Sequence, residues 1–200
     1  MRNLLALTLF WFLGIVFVPP AYANGPRTVD AKSLDIAGVK TGMDLEEALK
    51  AVAAHFNVDA NTLKRSAVTT NDSLTERRRP MFFWYENHGE KLTVYLITRI
   101  PLDPARPLAV WQVQYELPWT LDNKAAMEQA ARAKYGTPSN DPARMSLQWC
   151  DSPSRNIGVG CMSADAVLKL SDVNLTLFDR AWSTAFDQYI QDQQARKPNL

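Results

Sequence analysis

The sequence predicts an α+β fold, in which an antiparallel sheet carries helices packed on one face. Two observations lead to this prediction. Three segments show helical periodicity, and between them lie aromatic and β-branched runs typical of strands. The chain order is helix, three strands, helix, three short strands, helix. We expect a single domain over residues 24–200, in which 38–117 and 118–200 are two similar helix-then-three-strand units. Whether these halves are a true repeat stays open here.

Residues 1–23 have the features of a signal peptide. Arg2 supplies a positive charge, the uncharged run 4–18 is apolar, and residues 21–23 read Ala-Tyr-Ala, a small-x-small cleavage site. The apolar run is shorter than the roughly 20 residues that span a bilayer. The alternative is an uncleaved N-terminal anchor. We expect cleavage before Asn24 and a periplasmic or secreted mature protein.

The charges of the mature chain balance. Removal of residues 1–23 removes only Arg2 from the charged residues, which leaves 21 basic and 21 acidic side chains. A nucleic-acid-binding protein normally has a large basic excess, so we expect no nucleic-acid partner. No segment after the signal peptide is apolar enough to span a membrane, so we expect no integral membrane segment after cleavage.

The two cysteines predict one disulfide bond. Cys150 and Cys161 are close in sequence and both belong to the exported part of the chain. In an oxidising compartment such a pair is typical of a structural bridge. A redox pair or a metal site is the alternative, but the spacing is not CxxC and the chain has only two histidines.

The first helix is predicted over residues 45–56. Asp44 is a suitable N-cap, and Glu47 three residues later completes a capping box. Asn57 is a suitable C-terminal stop. Apolar residues recur at helical spacing on one face: Leu45, Leu49, Val52 and Phe56.

Three strands are predicted next. The run 81–100 consists of two aromatic and β-branched stretches around Glu-Asn-His-Gly-Glu, and Gly89 suits a hairpin turn. In the third strand, residues 108–117, alternation predicts one buried and one wetter face. The buried face is predicted to carry Trp111, Val113, Tyr115 and Leu117, and the wetter face Gln112, Gln114 and Glu116.

The second half repeats this order. A helix is predicted over 121–135, with Thr120 as N-cap and Gly136 as a left-handed residue beyond its end. A short strand leads into Cys150, and a second hairpin turns near Ser171 and Asp172. The last segment, about 180–195, is an amphipathic helix that should dock on the sheet.

Two short motifs resemble the BamE-like (SmpA/OmlA) family of small envelope proteins. Residues 42–49, Gly-Met-Asp-Leu-Glu-Glu-Ala-Leu, resemble the start of the family's helix, and residues 135–138, Tyr-Gly-Thr-Pro, resemble its end. A tandem of such units is similar to the architecture of the secreted β-lactamase inhibitor protein. The chain lacks the lipidated cysteine of the envelope lipoproteins and the Gly-x-Pro after its first helix. The resemblance therefore implies a fold and a binding role, and no assembly role.

No catalytic signature is present in the sequence. The chain contains no G-x-S-x-G, H-E-x-x-H or P-loop motif. His55 is late in the first helix and His88 is in the hairpin turn, and neither has a partner at metal-ligand spacing. We therefore expect no catalytic residue, no metal and no cofactor.

Alternation along the first predicted strand points to a binding surface. Phe82 and Trp84 share one face, while Phe83 and Tyr85 share the other. If helices cover Phe83 and Tyr85, the side chains of Phe82 and Trp84 stay accessible. We hypothesise that Phe82 and Trp84, with the basic run Arg77, Arg78 and Arg79, bind an envelope protein or enzyme. The alternatives are a small secreted enzyme with an unrecognised acid/base site and a purely structural envelope factor.

Overall fold

The computed structural model describes residues 27–66, 69–71, 78–140, 146–156 and 159–196, without the side chains of 69–71 and 78. The predicted signal peptide, residues 1–23, lies outside the described residues. The described residues form three α-helices and a seven-stranded antiparallel sheet. The predicted α+β class is confirmed.

The helices begin and end at the predicted residues: α1 is Leu45–Phe56, α2 is Leu121–Tyr135 and α3 is Arg180–Ala195. The Asp44 carboxylate accepts from the Glu47 amide at 2.9 Å, and the Glu47 carboxylate accepts from the Asp44 amide at 2.9 Å. Asn57 ends α1 in the left-handed conformation. Gly136 follows α2 with a φ of 77° and a ψ of −158°, which is not the left-handed helical conformation predicted.

The seven-stranded sheet has the order β1-β4-β5-β6-β9-β8-β7, and β2 and β3 form a separate pair. Their bounds are β1 Lys64–Arg65, β2 Thr69–Asn71, β3 Arg78–Pro80, β4 Phe82–Asn87, β5 Glu90–Thr98, β6 Leu108–Glu116, β7 Leu147–Trp149, β8 Ala166–Ser171 and β9 Asn174–Asp179.

Six of the seven strands form two three-stranded meanders joined at the centre of the sheet, and β1 lies at the edge beside β4. The meander β4-β5-β6 follows α1, and the meander β7-β8-β9 follows α2. They meet where β6 pairs with β9, with Val113 opposite Leu177. Across the sheet, the first meander is followed by the second in the reverse order, β9-β8-β7. The last strand of each half, β6 or β9, therefore lies at the centre.

The main core lies between α1, α2 and one face of the sheet, which we call the first face. Phe83, Val94 and Leu177 on this face are fully buried. The helices bury small and aliphatic residues against them, and α2 adds Tyr135. The helix residues of this core are Ala48, Leu49, Val52, Met127, Ala131 and Tyr135.

A β-bulge in β6 changes which aromatic residue faces the core. Tyr95 lies opposite Gln112, but Leu96 lies opposite Val110, so Trp111 is the extra residue. Val110 is therefore buried on the first face, and Trp111 contacts Tyr95 on the other side. The prediction that Trp111 shares the buried face with Val113 was wrong, because a bulge interrupts strict alternation.

The third helix begins on the opposite face, which we call the second face. The side chain of Arg99 lies on the second face, because the residue before it in β5 points to the first face. There the Arg99 guanidinium is 5.3 Å from the Trp182 ring centroid. Arg99 also donates to the Gly42 carbonyl at 2.9 Å. Helix α3 contacts β5 and β6 but adds no side chain to the main core.

The disulfide loop covers another part of the second face. Cys150 and Cys161 are bridged, as predicted, with their Cα atoms 6.0 Å apart. Both are buried in a small separate cluster with Ala164 and Val167, against which Phe178 packs. A bridge of this kind is typical of proteins from oxidising compartments.

Candidate functional site

Four aromatic side chains form a continuous cluster on the second face, and we call it the aromatic patch: Phe82, Trp84, Tyr95 and Trp111. The ring centroid of Phe82 is 5.7 Å from that of Trp84 and 5.7 Å from that of Tyr95. Tyr95 and Trp111 follow at 6.4 Å. All four are half-buried, so each ring is in contact with both protein and solvent.

Strand register produces this arrangement. Phe83 and Tyr85 point to the first face, where Phe83 is fully buried, so Phe82 and Trp84 point to the second. The two-residue turn at His88 and Gly89 sets the pairing of β4 with β5, and this places Phe82 directly opposite Tyr95. Cross-strand aromatic pairs of this kind stabilise a sheet by roughly 0.2–1 kcal/mol.

A notch at the sheet edge opens beside Trp84. It has a volume of about 370 Å³ and lies where β4 extends beyond Lys64, the first residue of β1. Its lining consists of Val58, Thr62, Lys64, Trp84, Tyr85, Glu86 and Asn87. The Lys64 ammonium lies 5.9 Å from the Trp84 ring centroid and 3.4 Å from the Glu86 carboxylate. The notch thus presents an aromatic ring, a cation and an anion side by side.

Polar side chains border the patch toward the centre of the sheet. Gln112, Gln114 and Glu116 alternate to the second face, and Glu116 accepts a hydrogen bond from the Asn174 side-chain amide at 3.2 Å. Burial raises the pKa of Tyr95, and the negative charge of Glu116 raises it further. Tyr95 therefore offers a neutral hydroxyl at the border between the apolar and polar parts.

Only one side chain of the predicted basic run, that of Arg79, is among the described residues. Arg77 lies outside the described residues, and of Arg78 only the backbone is described, in β3. Arg79 is half-buried, and its Nη1 atom has no hydrogen-bond partner among the described residues. Within the same residues, no hydrogen bond or cation–π contact joins Arg79 to Trp84.

Sequence reasoning missed two members of the patch. Tyr95 could have been found, because a two-residue turn at His88 and Gly89 dictates that Phe82 faces it. Trp111 could not, because no local residue pattern marks the bulge that turns it away from the core. The sequence also gave no reason to expect Trp119 and Leu121 at the surface, where they are 65% and 73% exposed.

The histidines lie apart from the patch. His55 is exposed near the end of α1, and His88 is exposed in the β4–β5 turn with a φ of 47°. In the described part of the chain, no three His, Cys, Asp or Glu side chains are grouped as metal ligands. The same residues include no helix long and apolar enough to cross a bilayer.

Comparisons of the chain with protein-family models, with curated proteins and with solved structures found no match.

Proposed function

We propose that this chain is an exported, non-enzymatic protein of the cell envelope, and that its aromatic patch binds a protein partner. One observation carries the proposal. Phe82, Trp84, Tyr95 and Trp111 form an unbroken run of half-buried rings outside the main core. Tryptophan and tyrosine are among the commonest anchors of protein interfaces, since one end is apolar and the other can form a hydrogen bond.

The surroundings of the patch fit a protein partner. An apolar centre with a polar rim is the usual anatomy of an interface, and the patch is bordered by Gln112, Gln114 and Glu116. The notch beside Trp84 offers space for one partner side chain. A nucleic acid would need a basic surface, whereas Lys64 at the patch is already paired with Glu86.

The export part of the proposal has its own support. The disulfide between Cys150 and Cys161 is typical of an oxidising compartment. The features of residues 1–23 and the resemblance of residues 42–49 to the BamE-like helix start favour the envelope as the location.

The first experiment places a photo-crosslinking amino acid at position 84 and, as controls, at positions 119 and 46. Trp119 is an exposed tryptophan outside the patch, and Glu46 is exposed on α1. After irradiation of intact cells, we expect a discrete crosslinked product from position 84 that is absent from both controls. Mass spectrometry identifies the product. A product of equal intensity from position 119 would place the interface elsewhere, and no product from position 84 would contradict the proposal.

The second experiment compares Trp84→Ala with Phe83→Ala and Trp119→Ala, using the identified partner in calorimetry. Trp84→Ala should weaken binding about 30-fold, since an interface anchor contributes about 2 kcal/mol or more. It should lower the unfolding free energy by only about 1 kcal/mol, because Trp84 is half-buried. Phe83→Ala should lower it by about 3–5 kcal/mol, and Trp119→Ala should change neither quantity. Unchanged affinity of folded Trp84→Ala would refute the patch as the interface.

A further inference from the structure

A cavity lies on the first face, between α1 and α2 and away from the aromatic patch. It has a volume of about 230 Å³. Its floor is formed by Tyr115 and Leu175, which are register partners where the two meanders join. Helix α2 and the turn before α1 form the walls, and His55, Ala130 and Lys134 are the exposed residues at its mouth.

Small side chains create this space. Ala131 lies on the face of α2 that is turned to the sheet, and Ala37 lies at the tip of a two-residue turn closed by pairing of Ile36 with Val39. Ala37 has a φ of 53°, which is costly for a residue with a Cβ atom. A larger side chain at position 37 or 131 would occupy the cavity that alanine leaves free.

Three of the four polar side chains in the lining are already engaged within the protein. The Lys134 ammonium is 2.7 Å from an Asp35 carboxylate oxygen, and the Tyr135 hydroxyl donates to the Asp35 carbonyl at 2.8 Å. The Tyr115 hydroxyl donates to the Glu90 carboxylate at 2.5 Å. A charged ligand would therefore lose its hydration without gaining a free counter-ion.

The helix ends also disfavour an anion. His55 is in the last turn of α1, and Tyr135 is the last residue of α2, so both carboxyl-terminal ends lie beside the cavity. The C-terminus of a helix carries a partial negative charge. At the mouth, the His55 imidazole makes no hydrogen bond to the described residues and can accept or donate one to a ligand.

We propose that this cavity binds a small, uncharged, mainly apolar molecule of about one ring, with a single polar group placed toward His55. The volume of about 230 Å³ is sufficient for one ring, since an apolar cavity of about 150 Å³ in another protein stays dry and binds benzene. The site is separate from the aromatic patch, because it lies on the other face of the sheet, so either proposal can fail without the other.

The test uses three single-ring ligands of similar size and different charge: benzyl alcohol, benzoate and benzylammonium at pH 7.5. Met127 is the only methionine among the described residues of the lining, so its ¹³C-labelled methyl group reports binding by NMR. A ligand of eight non-hydrogen atoms is expected to have a Kd of about 1 mM. We expect a saturable shift with benzyl alcohol and binding weaker by about tenfold or more for both ions, because each must be desolvated.

Matched variants locate the site. Ala130→Leu fills the cavity from its exposed mouth, and Ala133→Leu makes the same change at an exposed position outside the lining. Neither should disturb α2, since leucine and alanine are both good helix formers, and circular dichroism checks the fold. Ala130→Leu should weaken benzyl alcohol binding about tenfold or more, and Ala133→Leu less than about twofold.

Three results would overturn the inference. The first is a Met127 resonance that does not shift up to about 10 mM benzyl alcohol, which is about tenfold above the expected Kd. The second is equal weakening by both leucine variants. The third is benzoate or benzylammonium binding as tightly as benzyl alcohol, which would assign the cavity to a charged ligand class.

Discussion

Two tyrosine hydroxyls are held in the neutral form by their surroundings. Burial raises the pKa of Tyr115 well above its usual value of 10, and its hydrogen bond to the Glu90 carboxylate raises it further. Burial likewise raises the pKa of Tyr135, with a smaller contribution from the Asp35 charge. Both hydroxyls donate to an oxygen acceptor, and an ionised phenolate could not do so.

The free energy of unfolding should therefore fall with pH on the alkaline side. Below pH 10 both states keep the tyrosine proton and the stabilisation is complete. Above pH 10 the unfolded chain releases the proton and the folded chain keeps it, so stability decreases by less than about 1.4 kcal/mol per pH unit for each group. Urea unfolding from pH 9 to 11.5 should show a shallower decrease for Tyr115→Phe than for the unchanged protein. An equal decrease with pH in Tyr115→Phe and in the unchanged protein would argue against a raised pKa of Tyr115.

At the scale of the elements, the β4–β5 hairpin depends on the conformation of its two turn residues. His88 and Gly89 form its two-residue turn with φ angles of 47° and 83°. A Cβ atom at position 89 would lie 2.7 Å from Cγ of Pro118, so the turn also packs against the loop after β6. Because the same turn sets the register of Phe82 opposite Tyr95, its geometry also determines the aromatic patch.

Two substitutions in this turn should have opposite effects. Gly89→Ala should lower the unfolding free energy by about 1–3 kcal/mol, since alanine is strained at this φ and its methyl group overlaps Pro118. His88→Asn should leave stability equal or raise it by a few tenths of a kcal/mol, because Asn-Gly is the favoured pair in such turns. Thermal and urea unfolding measure both changes. An unchanged unfolding free energy of the Gly89→Ala variant would contradict the close packing of the turn against Pro118.

At the scale of the whole molecule, the disulfide loop is attached to the sheet by its own small core. Cys150, Cys161 and Val167 belong to a cluster separate from the main core. The loop also gains hydrogen bonds, because the Ser139 hydroxyl bonds the backbone of Cys150 and the Gln148 side chain accepts from the Cys161 amide at 2.7 Å. The bridge therefore stabilises the end of the sheet formed by β7 and β8.

Replacement of Cys150 and Cys161 by serine should lower the unfolding free energy by about 2–4 kcal/mol, as expected for a short loop. Hydrogen exchange should increase first in residues 159–164 and only later in β5 and β6, which lie in the main core. The unfolded, non-reduced protein should not react with a thiol reagent. Two reactive thiols, or uniform exchange throughout the sheet, would contradict this account.

Local features of this fold could be predicted from the sequence, and long-range features could not. The Asp44–Glu47 capping box, the Asn57 stop and the bounds of α2 and α3 depend on neighbouring residues, and all are confirmed. The bulge at Trp111 and the cavity below α2 depend on packing between distant segments. For the same reason, Phe82 and Trp84 could be assigned to one face, but their contact with Trp111 could not.

The central pairing of β6 with β9 has a consequence for biosynthesis. Glu116 is opposite Asn174, so β9 leaves the ribosome about 60 residues after β6, which is roughly 3–12 s at usual elongation rates. During this interval the N-terminal half has an unpaired strand edge along β6, and such an edge is a template for aggregation. Truncation before β9 therefore leaves this edge of β6 without its partner strand, and such a chain should aggregate more readily than the complete one.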